Sequence, residues 1–432
     1  MFAPNTNNAA VKTTSYKVVL PFYMYAALSF VVATIMLFFS SGTLLHHYFQ
    51  PRVLATTHTM ALGWGTMIIL GASHQLVPVI IEGRLYSERL AYASFILAAI
   101  GIPLLVYAFF FFNMGAPAIV GGSLIVLSVL SFLINIALSI SESHNENVHA
   151  IFVLTATGWL LFTVTLGFIL LLNFIHILLP EDSIRYLPLH AHLGIIGWFF
   201  LLITGVGSRL IPMFMISKYT NTRLLWWIYG LINGALLCYT ILFLLQAKEV
   251  LIIVPAVLFL SAVTGFIYYC YKSAKQRIRK QIDNQVKVSL LSVLMMLLPV
   301  LLLLLIIILS GLTKKQSTII TTYGFTIFFG WITAIILGMT FKTLPFIVWN
   351  KVYHQRSVSG KTPSPKDIFN HKNFRIMSVA YLLGFAVFSI GILTSTVLLL
   401  QSGAVLLIIT SVMYAVNVLS IMQHKAENGN DN

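Results

Sequence analysis

The sequence predicts an all-α polytopic membrane protein of about twelve transmembrane helices, arranged as three related four-helix units. Three observations predict it: an apolar composition, a succession of bilayer-length apolar runs, and a helix template that returns three times at nearly constant spacing. Of the 432 residues, 59% are hydrophobic and only 9% are charged, and the mean hydropathy is +0.93. A chain that apolar has lipid as its solvent.

A helix rising about 1.5 Å per residue needs roughly 20 apolar residues to cross a hydrocarbon layer of about 30 Å. Runs of that length are expected at 18–40, 52–81, 88–112, 116–140, 149–177, 187–216, 224–246, 250–271, 286–311, 319–349, 373–400 and 403–422. The first sixteen residues are polar and mixed, so the first run reads as an uncleaved span. The whole chain, 1–432, is then a single transmembrane domain.

The net charge of +15 raises the question of nucleic acid, but the position of the charges answers it. With the N-terminus inside, all but five of the 26 Lys and Arg lie on the inner side; the exceptions are Arg52, Arg185, Lys248, Lys314 and Lys315. That asymmetry is the positive-inside rule and places both termini in the cytoplasm, with a bacterial cytoplasmic membrane as the expected location. The basic stretch from Lys272 to Lys287 is a cytoplasmic loop near anionic lipid, and no nucleic-acid partner is expected. Cys238 and Cys270 fall on separate helices, which excludes a disulfide framework and a CxxC site.

Three segments align without a gap. His58 is followed by Gly63, Trp64, Gly71 and Pro78; His192 by Gly197, Trp198, Gly205 and Pro212; Phe325 by Gly330, Trp331, Gly338 and Pro345. The template therefore falls on helices 2, 6 and 10 and divides the chain into repeats of about 18–146, 147–282 and 283–422. Glycine thins a helix for close packing, tryptophan fills or anchors, and proline kinks or ends it. These positions describe architecture and leave the chemistry to the histidines. Parallel repeats of this kind set helices around a pseudo-threefold axis, with crevices between units that suit a cofactor.

His58, His190 and His192 fall at matched depth near the outer ends of helices 2 and 6. His58 lies about 10 Å inside its helix start. An ionisable group at such depth is a functional-site candidate, and imidazole is the commonest metal ligand among side chains; the structural alternative is a hydrogen bond across helices. His190 and His192, two residues apart, point about 200° from each other. They cannot chelate one ion from one helix, but they can offer an axial ligand to a flat cofactor on either side, and haem is the candidate. His46 and His47, expected at the end of helix 1, and His176, expected at the end of helix 5, gather at the same face and form a candidate copper or zinc site. Arg52 and Arg185 precede the histidines and are candidates to pair with haem propionates. His74, His144 and His354 are read as structural or solvated.

The run Leu189-His190-Ala191-His192-Leu193, leading on to Gly205 and Pro212, resembles the haem-ligating HxH helix of the haem-copper oxidase and nitric oxide reductase large subunits. The segment from Thr57-His58-Thr59 to Pro78 is similar to their second helix, and twelve helices on a pseudo-threefold plan match their architecture. The resemblance implies His58 and His192 as axial ligands of a low-spin haem and His190 as ligand of a second. The pattern also departs from the family. The HxH stands here on the sixth helix instead of the tenth, where Phe325 takes the place of histidine, so either His190 or His192 is left as the partner of His58. The family's copper takes histidines from helices 6 and 7, and helix 7 of this chain, Arg223 to Gln246, has none. No Asp or Glu lies mid-span.

The resemblance thus implies a divergent haem-binding protein that moves electrons or binds a diatomic gas near the outer face, without the usual copper site, together with a redox partner or further subunits. One alternative is a catalytic cytochrome c oxidase or nitric oxide reductase-type subunit with a rearranged metal site. Another, from a different class, is a haem-free secondary transporter, weakened by a midplane without charges. Phosphate-binding loops, nucleophile elbows and HExxH motifs are absent.

Overall fold

The computed structural model describes residues 14–143, 147–309, 316–353 and 363–425. His144, Lys314, Lys315 and His354 lie outside them. Among the described residues twelve helices are long and apolar enough to cross a membrane: α1 (Tyr16–Phe39), α2 (Pro51–Ile80), α3 (Glu88–Phe110), α4 (Ala116–Ser141), α5 (Val148–Leu172), α6 (Ser183–Met215), α7 (Thr222–Leu244), α8 (Val250–Lys275), α9 (Asn284–Leu309), α10 (Ser317–Tyr353), α11 (His371–Thr394) and α12 (Val397–Met422). Hydrocarbon offers no partner to a free N–H or C=O, so a helix, which pairs them internally, is the form such runs must take.

Odd-numbered helices begin with polar caps. Ser15 accepts from the Lys17 N–H, Ser87 from Leu90, Asn147 from Ala150, Asn221 from Leu224, and Asn370 from Lys372 and Asn373. At α9 the cap is Asp283, whose carboxylate meets Arg279 at 2.8 Å and Lys342 of α10 at 2.5 Å. Partial burial alone would raise this carboxyl, but Lys342 and Arg279 outweigh that and hold it below its ordinary value.

Burial ranks the helices. In the most apolar stretches of α2, α6 and α10 the buried share is 67%, 67% and 83%, against 22% to 44% in the other nine. The three template helices therefore form the centre, and the rest wrap them. Each has a π-helical stretch just after the first template position: Thr59–Thr66 after His58, Leu193–Phe200 after His192, and Thr326–Ile332 after Phe325. In the third the chain leaves helical geometry at Gly330, and Tyr381 of α11 donates to the carbonyls of Phe329 and Gly330 at 2.9 and 2.7 Å.

The tryptophans tie the central helices to one another. Trp64 donates its indole N–H to Thr333 at 3.1 Å and Trp198 donates to Thr66 at 3.0 Å, while the Trp331 ring lies edge-on to Phe200 at 6.3 Å. In each case a tryptophan of one template helix meets the residue two beyond the tryptophan of another. The glycines set the distance to the outer helices. A Cβ on Gly71 would lie 2.5 Å from the Phe22 Cβ of α1, one on Gly205 2.3 Å from the Phe152 Cβ of α5, and one on Gly338 2.7 Å from the Gln285 carbonyl of α9. The first helix of each third of the chain thus packs directly on the template helix backbone.

Two boundaries differ from the sequence expectation. The break between α11 and α12 falls at Ser395 and Thr396, not near residue 400, because Ser395 takes a left-handed conformation (φ 53°) and Thr394 and Thr396 bond through their hydroxyls at 3.0 Å. Apolarity runs on through Val397–Leu400 and hides the turn. Helix α5 ends earlier than expected, at Leu172, where Asn173 accepts from Leu178 and Leu179 and closes the loop.

Gly338→Ala is expected to cost about 1–3 kcal/mol through overpacking, read as a lower melting temperature of the detergent-solubilised protein. Gly230→Ala, where nothing lies within 4 Å of the added Cβ, should leave the melt unchanged or raise it slightly. Asp283→Asn should melt lower than the parent at neutral pH. The depressed carboxyl contributes only while ionised, so this gap should close as the pH falls below the ordinary carboxylate range of about 4.

Candidate functional site

The central helices enclose an elongated cavity of about 490 Å³ near the N-terminal ends of α2, α6 and α10, lined by His58, His190, His192, Tyr323 and Phe325 among largely apolar neighbours. That volume lies within the range of small-molecule and cofactor sites, roughly 300–1,000 Å³.

His58 and His190 face each other across it. Their ring centroids are 6.4 Å apart and their planes differ by 17°. Each ring is fixed by its Nδ1: His58 bonds the Leu54 carbonyl, one turn back on α2, at 2.8 Å, and His190 bonds the Thr163 carbonyl of α5 at 3.1 Å. A carbonyl only accepts, so each Nδ1 carries the proton and each Nε2 keeps its lone pair. The His190 ring rests on Gly167 of α5, where a Cβ would come within 2.7 Å of Cε1.

The ring spacing and the apolar lining suit a metal-bearing cofactor held by the two histidines. A metal–imidazole bond of roughly 2.0–2.1 Å puts the ring centre about 3.2 Å from the metal, so two imidazoles on opposite sides of one ion stand about 6.4 Å apart. The carbonyl bonds at Nδ1 are the outer-shell contacts that orient metal-binding histidines. The surrounding wall is apolar, as a porphyrin requires.

His192 points elsewhere. Its Nδ1 bonds the Pro188 carbonyl at 2.7 Å, and its Nε2 meets the Tyr323 hydroxyl of α10 at 3.2 Å. The Tyr239 ring of α7 lies 5.2 Å away. Of the two residues left open as the partner of His58, His190 is the one that lies against it. Helical phase says that the two HxH members diverge, but which neighbour each meets depends on how α2, α6 and α10 pack.

The other candidates do not join the site. His46 and His47 lie beyond a short turn (Thr43–Leu45) after α1, both exposed, with His47 Nδ1 accepting from the Phe49 N–H at 3.0 Å. His176 is exposed in the loop after α5. Among the described residues no group of three His, Cys, Asp or Glu is placed to hold a metal ion, so His46, His47 and His176 do not form the expected cluster; His46 and His47 lie in the connection after α1 and His176 in the connection after α5. Arg52 is exposed, over the Phe110 ring at 5.7 Å, and Arg185 is exposed on the first turn of α6. Neither lines the cavity. His74 is fully buried between Phe22 and Phe132, at 5.4 and 5.2 Å, well down α2.

Sequence reasoning missed Tyr323, Thr163 and Gly167. A signal existed for Tyr323: it stands two residues before Phe325, as His190 stands two before His192. Thr163 acts through its backbone and Gly167 through the side chain it lacks, and neither leaves a trace in a single sequence.

No protein-family model matches the chain, and no curated protein matches it.

Gly167→Ala should push the His190 ring off the Thr163 carbonyl and lower the melting temperature, at a cost of about 1–3 kcal/mol. Gly158→Ala on the same helix, with nothing within 4 Å of the added Cβ, is the control and should not.

Proposed function

We propose that this chain is a haem-binding electron-transfer protein of the membrane, a divergent relative of the haem-copper oxidase and nitric oxide reductase large subunits. The observation that carries this reading is the pair His58 and His190, which line one largely apolar cavity with ring centroids 6.4 Å apart and each with its Nδ1 bonded to a backbone carbonyl.

Haem would supply a one-electron couple at this position. His58 and His190 would hold it, and two imidazole ligands suit electron transfer. The Leu54 and Thr163 carbonyls would keep the Nε2 atoms unprotonated and correctly aimed. The apolar wall would exclude water and set the potential through the local dielectric.

The recurring template, the three π-helical stretches and the ring of tryptophan contacts support a pseudo-threefold plan of four-helix units. The distribution of Lys and Arg supports cytoplasmic termini, with the cofactor toward the outer leaflet. An electron donor and acceptor, or further subunits, would complete the path.

Protein purified from haem-replete cells should show the reduced-minus-oxidised spectrum of a bis-histidine cytochrome. His58→Ala and His190→Ala should each abolish it, whereas His192→Ala should retain it. Colourless, haem-free parent protein would overturn the reading.

A further inference from the structure

The hairpin of α7 and α8 ends in a cluster of cations. Two contacts clip its flanking loops together: Ser217 bridges Arg277, and the Ile278 N–H donates to the Ile216 carbonyl at 3.1 Å. Lys218, Arg223, Lys272, Lys275 and Arg277 are thereby gathered at one end, and none of them is ion-paired with a described residue. Between Asp182 and Asp283 the only acid is Glu249, at the other end of the hairpin. Asp283 itself is engaged by Arg279 and Lys342.

One side of this hairpin also carries an open strip. The two helices meet where Gly265 packs on Ile228, since a Cβ on Gly265 would lie 3.1 Å from the Ile228 Cγ1. Turning about 100° per residue from that contact, Arg223, Trp227, Gly230 and Gly234 of α7 fall on the same side as Tyr268 and Lys275 of α8. Trp227 is 68% exposed, and Lys272 reaches over the Tyr268 ring at 5.3 Å. Nothing lies within 4 Å of a Cβ on Gly230 or Gly234. In the corresponding helices of the other thirds a neighbouring helix fills that space: a Cβ on Gly101 of α3 would lie 2.9 Å from the Gly121 carbonyl of α4, and one on Gly384 of α11 3.0 Å from the Leu406 Cβ of α12.

We infer that this face of the hairpin binds one anionic glycerophospholipid, its phosphate held by Arg223, Lys272 and Lys275 and an acyl chain laid along Gly230 and Gly234. The inference is independent of the haem reading. Charge selects the head group: an Arg fork and two ammonium groups without a carboxylate partner match a phosphate that bears a net negative charge. A zwitterionic head group would bring its own ammonium against them. Trp227 and Tyr268 sit beside the cations as the aromatic belt does at head-group depth. The length agrees as well. Arg223 and Gly234 are eleven residues apart, about 16 Å of helix rise, or half of a hydrocarbon layer of about 30 Å; the strip therefore spans one leaflet. A second copy of the chain suits the strip less, because a twofold axis along the membrane normal would set Arg223 against Arg223.

The test titrates phosphatidylglycerol with brominated chains into the purified full chain in a neutral detergent and reads the quenching of tryptophan fluorescence. Brominated phosphatidylcholine is the comparison, and inorganic phosphate the competitor. The parent should prefer phosphatidylglycerol by about tenfold or more, and Trp227→Phe should lose most of the selective quenching. Arg223→Gln combined with Lys272→Gln and Lys275→Gln should bring phosphatidylglycerol down to the phosphatidylcholine level, each charge near an anionic head group being worth roughly fivefold. Gly230→Leu, which fills the strip, should weaken both lipids by a similar factor and keep the preference. Lys366→Gln combined with Lys372→Gln and Arg375→Gln removes three exposed cations around the start of α11 and should change neither. An equal loss in that control would mark general surface charge and overturn the proposal, as would a parent without preference. Displacement of the lipid by millimolar phosphate would show a free-anion site instead. A Gly230→Leu variant that changes oligomeric mass and leaves lipid binding intact would put a second copy on the strip and also overturn it.

Discussion

In hydrocarbon a polar atom has only the protein to bond to, and this constraint orders the whole molecule. It forces the backbone into helices, places Ser, Asn and Asp caps where α1, α3, α5, α7, α9 and α11 begin, and sends Tyr381 to the two carbonyls beside the break at Gly330. The same constraint fixes the histidines. The three cavity imidazoles, His58, His190 and His192, each give the Nδ1 proton to a carbonyl, which leaves each Nε2 an acceptor. The chemistry of the cavity follows from the neighbours of those rings: His58 and His190 lie against each other, and His192 meets a phenol.

The fold was largely legible because its signals are long. Bilayer-length apolar runs and a template repeated at fixed offsets survive uncertainty at any single residue. What escaped was local. The turn at Ser395 lies inside continuous apolarity and is marked only by three hydroxyl-bearing residues. Apolarity also runs past the end of α5 at Leu172, so that the sequence alone puts His176 on the helix and not in the loop where it lies.

The site was legible in its residues but not in its pairing. Helical phase alone says that His190 and His192 diverge, whereas the neighbour each one meets depends on how the three thirds of the chain follow one another around the centre. Placing the segments in register is instructive: Thr56, His190 and Tyr323 share one position, and His58, His192 and Phe325 share another. His58 meets His190 and His192 meets Tyr323, so the same pair of positions is used in both crevices with different chemistry. Tyr323 stood in plain view on this register, but it attracts notice only once the partner of His192 is known.

The π-helical stretches separate the two jobs of the central helices. Each holds an extra residue in its turn, between the end that carries the cavity residues and the end that carries the Gly and Pro of close packing. Drawing the same residues into an ordinary α-helix, with no wide turn, would swing His58 by about 100° relative to the half of α2 packed on α1. The wide turn therefore acts as a phase adjuster. It sets the direction of the imidazole independently of the packing below, so that changes of length in this stretch retune the cavity while the bundle stays intact.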